Sequence, residues 1–464
     1  MKKNRNILLS PIVLGLILAL LVSCQPSQKK DNNNKKKDKK TMSIQHTDWS
    51  KNANIYEVNI RQYTEEGTFN AFRKHLPRLK KMGVDILWIM PIHPVSELNR
   101  KGSLGSSYAA ADYKAVNPEF GNMDDFKTLV NEAHQMGMKV LLDWVANHSG
   151  WDNVWTKKHA DFYERDENGK FISPSDWTDV ISLDYNNPQM RDSMISALKF
   201  WITETDIDGY RCDMAGMVPT DFWDDARTEM DKIKAVFMLA EDEDNADLLR
   251  HAFDMNYTWR LMHLTNDIAK GKKIANDIWD YLKWNNEQFP PDAYRIAFTT
   301  NHDENSWNGT TKERLGDAAE SFAVLSYTIK GMPLIYSGQE AGLDKRLAFF
   351  EKDTIDWSNL VNADFYTTLN KLKKNNKALW NGTSGGEMMR IGGGKNPYVF
   401  AFYRVKQGNI VVSIFNLSDS KQTITFDQNS IEGKYSDVFS GQEITLKNGL
   451  KINLKPWEYL VLTK

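Results

Sequence analysis

From about Asn54 onward, short apolar runs alternate with stretches of helical spacing. Residues 55–60 and 85–90 read as strands, and 69–82 between them read as a helix. Residues 124–136 are again helical in spacing, followed by an apolar run at 139–143. Further strand-like runs at 208–213, 235–241, 253–257, 295–301 and 333–336 bring the number to eight. This alternation predicts βα units around a parallel sheet, and eight strands are what a closed (β/α)8 TIM barrel needs.

Two stretches break the rhythm. Between His148 and Leu183 no helix stands out and polar residues mix with aromatics, which predicts an insertion after the third strand, over about 149–183. A loop of that length in a compact domain usually carries function. After Lys377 the runs become β-type, at 398–403, 410–415, 423–426 and 459–462. They predict a C-terminal all-β sandwich domain over 379–464, with the barrel over 49–378. No internal repeat is visible.

The first residues have a different character. Lys2, Lys3 and Arg5 precede an apolar run from Ile7 to Val22, which is short for a membrane-spanning helix. The run stops at Leu21, Val22, Ser23 and Cys24, which resembles the bacterial lipobox. That reading makes 1–23 a lipoprotein signal peptide and Cys24 the lipidated residue. The alternatives are an uncleaved anchor or an ordinary signal peptide. Residues 24–48 are mostly polar and predict a disordered tether. The expected location is the cell envelope, lipid-anchored to the outer membrane or at the cell surface or periplasm. Cys24 and Cys212 are the two cysteines of the chain, so no disulfide framework is expected, and Cys212, in an apolar strand, should be buried and inert.

Length and charge narrow the classes. A chain of 464 residues accommodates a large barrel and a second domain. A net charge of −2 gives no reason to expect a nucleic-acid partner, and a monomer is expected. Fifteen Trp either pack the core or stack on the apolar faces of sugar rings.

Active sites of βα barrels lie at the C-terminal ends of the strands. Those ends hold Asp143 with Asn147 and His148 after the third strand, Arg211 and Asp213 on the fourth, Glu241 on the fifth, and His302 and Asp303 after the seventh. Carboxylates with an arginine suit cleavage of a glycosidic bond. One carboxylate is the nucleophile, ionised by the adjacent arginine. A more isolated one stays protonated as the acid.

These strand ends resemble the four short motifs of the α-amylase superfamily, glycoside hydrolase family thirteen. Supporting segments are Gly105 to Tyr108, Asp112 with Tyr113, Asn117 to Gly121, Gly338 to Glu340, and Phe349 to Trp357. The resemblance implies Asp213 as nucleophile, Glu241 as general acid/base and Asp303 as transition-state stabiliser. It implies that Tyr108, Asp143, His148, Arg211 and His302 bind or support the sugar under attack. The substrate would be an α-glucan, starch or malto-oligosaccharide, cut at internal α-1,4 bonds with retention.

The pattern departs from the family at Gly216 and Met217, where many α-amylases carry Lys-His. The surrounding run is closer to the neopullulanase and cyclomaltodextrinase branch, which usually has Asn-Glu at that place and an extra N-terminal β-domain. A family calcium ion (Ca²⁺) would use Asn147, with Asp176, Asp179 and Asp184 as further oxygen donors; otherwise these are loop acids and no cofactor is bound. Trp151, Trp155, Trp177 and Trp307 either line the cleft or pack the insertion. The competing functions are a neopullulanase- or cyclomaltodextrinase-type hydrolase, a transglycosylase or isomerase on the same scaffold, and an inactive glycan-binding relative.

Overall fold

The structure is a computed structural model that describes residues 44–464. The signal segment, Cys24 and the tether up to residue 43 lie outside the described residues. Among the described residues no helix is long and apolar enough to cross a membrane. Packing reaches back before Asp48. His46 is buried, stacks on Tyr294 and bonds Asp254 at 2.8 Å.

Eight parallel strands close into a barrel. They are β1 (Ile55–Val58), β2 (Ile86–Ile89), β3 (Lys139–Val145), β4 (Gly209–Asp213), β5 (Phe237–Ala240), β6 (Met255–Asn256), β7 (Tyr294–Ala297) and β8 (Met332–Tyr336). Each lies within or overlaps one of the eight apolar runs. Both faces of these strands are covered, so their sequences are apolar throughout rather than alternating. Ile55, Ile86, Trp88, Leu141, Phe237, Leu239, Met255, Tyr257, Tyr294, Ile296, Met332 and Leu334 fill the barrel interior. The intervening residues, such as Tyr56, Leu87, Val140, Leu142 and Tyr210, join the larger core under the helices.

The same two-residue period decides what reaches the rim. Leu141 faces inward, and so does Asp143 two residues later, paired in register with Arg211. Arg211 in turn is paired with Leu239, two residues before Glu241. Ile55 is followed by Glu57, opposite Trp88. Strands β1 and β3 and the end of β5 thus carry an apolar lower layer and a charged upper one, which meets Arg211 of β4.

The helix expected over 69–82 is two helices, Phe69–Arg73 and Leu76–Met82. Pro77 cannot donate to the carbonyl four residues back and its ring crowds it, so the chain breaks at Lys74 and His75 and restarts with proline in the first turn. The insertion contains a five-residue helix, Val154–Lys158, which its sequence did not announce, and a hairpin pairing His148–Gly150 with Val180–Ser182.

The barrel's last helix, Ala363–Asn375, leads into the C-terminal domain. That domain has a six-stranded antiparallel sheet and a two-stranded sheet, Gln422–Thr425 with Lys451–Leu454. Val399, Ala401, Val412 and Ile414 face the smaller sheet's Ile424 and Leu454. Phe400, Phe402 and Phe415 face the other way, into the barrel's core, with Phe400 4.9 Å from Trp279. The sandwich is therefore lopsided, its larger sheet serving two cores.

Candidate active site

Arg211 is the centre of the charged layer. It is fully buried, and its Nη1 donates to Asp143 Oδ1 at 2.9 Å and to Asp213 Oδ1 at 3.1 Å. Its Nη2 lies 2.9 Å from Glu241 Oε2, close enough for an ion pair although the N–H is not aimed at the oxygen. The rings of Trp88, Tyr108 and Tyr257 surround the guanidinium at 5.0, 5.9 and 5.8 Å. This aromatic cage compensates part of the lost hydration.

Asp143 has no exposure, and its second oxygen accepts from Trp88 Nε1 and from the Tyr108 hydroxyl, each at 3.0 Å. Tyr108 also meets His302 Nε2 at 2.9 Å, and the two rings stack with centroids 5.5 Å apart. His302 Nε2 lies 3.3 Å from Asp303 Oδ2. Burial would lower the His302 pKa, but the charges of Asp303 and Glu57 outweigh it and raise it to about 9. His302 is therefore a cation at neutral pH. His148 lies buried beside Trp177, its Nδ1 without a partner, and burial lowers it to about 4, so it is neutral.

The two carboxyls beside Arg211 differ from the sequence expectation. Glu241 is not the isolated one. Burial pushes it up, but Arg211, the Met214 N–H at 2.9 Å and His302 hold it below the ordinary carboxylate range. Burial and the neighbouring Glu241 charge raise Asp213 well above that range.

The rim above these groups encloses a cavity of about 580 Å³, lined by Tyr108, His148, Asp213, Glu241, His302 and Asp303 together with Lys101, Asp179, Trp177, Trp307, Phe349 and Phe350. Trp177 and Trp307 thus belong to the cleft. Trp151 and Trp155 pack the insertion instead, Trp151 donating to Thr178 O and Trp155 lying 4.8 Å from Tyr113. Cys212 points outward from β4, fully buried, and burial raises its thiol pKa.

The residues proposed for calcium do not gather. Asn147 Oδ1 is a buried oxygen without a partner, but among the described residues no group of three or more His, Cys, Asp or Glu side chains gathers to hold a metal ion. Asp179 pairs with Lys101 at 2.9 Å, Asp184 accepts from Asn186, and Asp176 is exposed. These side chains do not fit a calcium site.

The sequence reading missed Glu57, Trp88, Tyr257 and Phe349. Glu57 carried a signal: a lone acid in an apolar strand that must face inward by its period. The others look like ordinary core aromatics. At Gly216 a Cβ would stand 2.1 Å from Asp242 Oδ2, so Asp242 occupies the space into which a side chain at 216 would project.

Residues 27–181 and 165–381 match the family model described as the catalytic domain of alpha amylase. A noncanonic maltogenic alpha-amylase from Thermotoga neapolitana superposes with a TM-score of 0.81 at 31% identity, over 89% of this chain and 98% of that one. Alpha-amylase 2 of Dictyoglomus thermophilum is 24% identical over 87% of this chain and 75% of its own length. Neopullulanase 2 of Thermoactinomyces vulgaris is 25% identical over 89% and 78%.

Proposed function

Because the chain belongs to the α-amylase catalytic-domain family, we propose that it hydrolyses α-1,4-glucosidic bonds of starch and malto-oligosaccharides with retention of anomeric configuration. One observation carries this reading. A single guanidinium holds both Asp213, at 3.1 Å, and Glu241, at 2.9 Å, so the two carboxyls stand close together. An inverting pair stands about 6.5–9.5 Å apart to admit a water, whereas a retaining pair is closer.

Asp213 attacks C1 of the sugar seated among Tyr108, His148, His302 and Asp303, and Glu241 gives a proton to the departing oxygen. A glycosidic oxygen seated against Glu241 displaces the Arg211 contact and favours the neutral acid there. Water then cleaves the glycosyl-enzyme with Glu241 as base. Asp303, beside the His302 cation, stabilises positive charge developing on the ring.

A second reading is a neopullulanase- or cyclomaltodextrinase-type hydrolase. The match to Neopullulanase 2 favours it. The name maltogenic, borne by the Thermotoga neapolitana protein, favours short products in either case. Attack at internal bonds, which the family resemblance implied, is left out of the proposal because the loops after β3, β2, β8 and β7 are joined along one side of the cleft. The proposal extends to anchoring through a lipidated Cys24 at the cell envelope, supported by the apolar run that ends there.

Initial rates on soluble starch, maltotriose, pullulan and cyclodextrin test it. Release of reducing ends from starch and maltotriose is expected. Strong preference for pullulan or cyclodextrin favours the second reading, and glycosyl transfer without hydrolysis rejects both.

A further inference from the structure

On the side of the cleft across from β5, the walls are joined to one another. Lys101, in the loop after β2, pairs with Asp179 of the insertion at 2.9 Å. Asp179 is 8% exposed at its side chain and lines the cavity beside Trp177. Two residues on, Ser103 donates its N–H to Glu351 Oε1 at 2.8 Å and its hydroxyl to Glu351 Oε2, in the loop after β8. Leu104 N–H bonds the Phe350 carbonyl at 3.2 Å. Gly102 makes this approach feasible: its φ is +66°, and a Cβ there would stand 2.5 Å from Phe350 Cβ.

The β8 loop is joined in turn to the segment after β7. Asn305 accepts from Leu347 N–H at 2.8 Å, and Ser306 donates to the Leu347 carbonyl at 2.8 Å. Trp307 packs on Phe349 and Phe350 with centroids 5.1 and 5.8 Å away. The loops after β3, β2, β8 and β7 thus form one continuous wall.

That wall lies across the barrel from β5, which carries Glu241. The proton donor marks the leaving-group side of the scissile bond. The wall therefore stands behind the sugar under attack. In an α-1,4 chain the direction behind that sugar runs through O4 to the non-reducing end. The geometry points to a cleft closed on the non-reducing side by the Lys101–Asp179 ion pair and its neighbours, so that the enzyme takes the non-reducing ends of chains and releases short products. This rests on the α-1,4-hydrolase reading and specifies where along the chain it acts. Lys101 and Asp179 are then specificity-determining residues, and their ion pair borders the cavity beside Trp177. A chain threading past it must break that pair.

The test compares wild type with Lys101→Ala on amylose and on p-nitrophenyl maltoheptaoside, free or capped at the non-reducing end. Wild type should form many reducing ends before iodine colour falls, and should cut the capped substrate at least tenfold more slowly than the free one. Lys101→Ala should lose more iodine colour per reducing end and narrow the capped-to-free gap severalfold. Equal wild-type rates on capped and free substrate would overturn the closed cleft. An unchanged gap in a folded Lys101→Ala would overturn the ion pair as its latch. If the variant fails to fold, the wild-type comparison still decides on the closed cleft. Failure of the hydrolase reading looks different, because then neither substrate is cut.

Discussion

Glu57 Oε1 stands 2.5 Å from His302 Nδ1, joining the inner face of β1 to the segment after β7. The contact fixes the imidazole so that Nε2 faces Tyr108 and Asp303, and it sustains the positive charge on the ring. The acid comes from a strand whose other inward residue in the barrel core is Ile55, and no motif at the strand ends includes it.

Replacing Glu57 by Gln should therefore act through His302. Burial opposes the His302 charge, and Asp303 and Glu57 support it, giving the raised value of about 9. Loss of one supporting carboxylate should bring the alkaline limb of kcat/KM down by about one pH unit or more. The folded value lies above the ordinary 6.5, so the stability gained from the cation is complete below that pH and disappears as pH rises through about 9. Melting temperatures of wild type and variant should accordingly converge toward pH 10. An alkaline limb that does not move would show that His302 protonation does not govern turnover.

Asp213→Asn and Glu241→Gln should each cut kcat on malto-oligosaccharides by at least about a thousandfold while the protein stays folded. Fresh product followed by proton NMR should show the α-anomer first. The β-anomer appearing first would mean a single displacement, which the close approach of both carboxyls to one guanidinium argues against.

The barrel was legible because each strand is a compact apolar run and the helices between them are polar on one face. Where the expectation failed, the cause was local. Pro77 broke one helix although the apolar spacing on either side was right. The lopsided shape of the C-terminal sandwich depends on how Phe400 and Phe402 meet Trp279, a contact between residues more than a hundred positions apart. The charged strand ends were also legible, because acids and an arginine are rare inside such runs. Their proton arrangement was not. It depends on Arg211 reaching Glu241 as well as Asp213, and on the Met214 N–H, neither of which follows from sequence spacing. Calcium was raised by Asn147 with Asp176, Asp179 and Asp184 as further donors, but Asp179 is taken by Lys101 and Asp184 by Asn186.

On the proposed lipoprotein reading, in which acyl chains on Cys24 supply the anchor, Cys24→Ala should release the enzyme from the membrane fraction. Detergent phase partitioning of whole cells expressing each form measures this. A variant that partitions like wild type would leave an uncleaved apolar segment as the anchor and remove lipidation from the proposal.

Gly216→Ala should destabilise the protein although the backbone there asks for no special conformation. The objection is space. The added Cβ would stand 2.1 Å from Asp242 Oδ2 and 3.0 Å from its Cγ. Asp242 cannot simply swing aside, since its other oxygen accepts from Asn245 N–H at 2.6 Å and holds the turn after β5. Overpacking of this kind costs about 1–3 kcal/mol. Removing the obstacle with Asp242→Gly should cancel most of that cost but lose the bond to Asn245. The double variant should thus be more stable than the sum of the two single changes, a coupling that a double-mutant cycle in urea reads directly. Additive effects would mean that the two side chains do not compete for one space, and that the missing lysine of the family pattern has some other cause than Asp242.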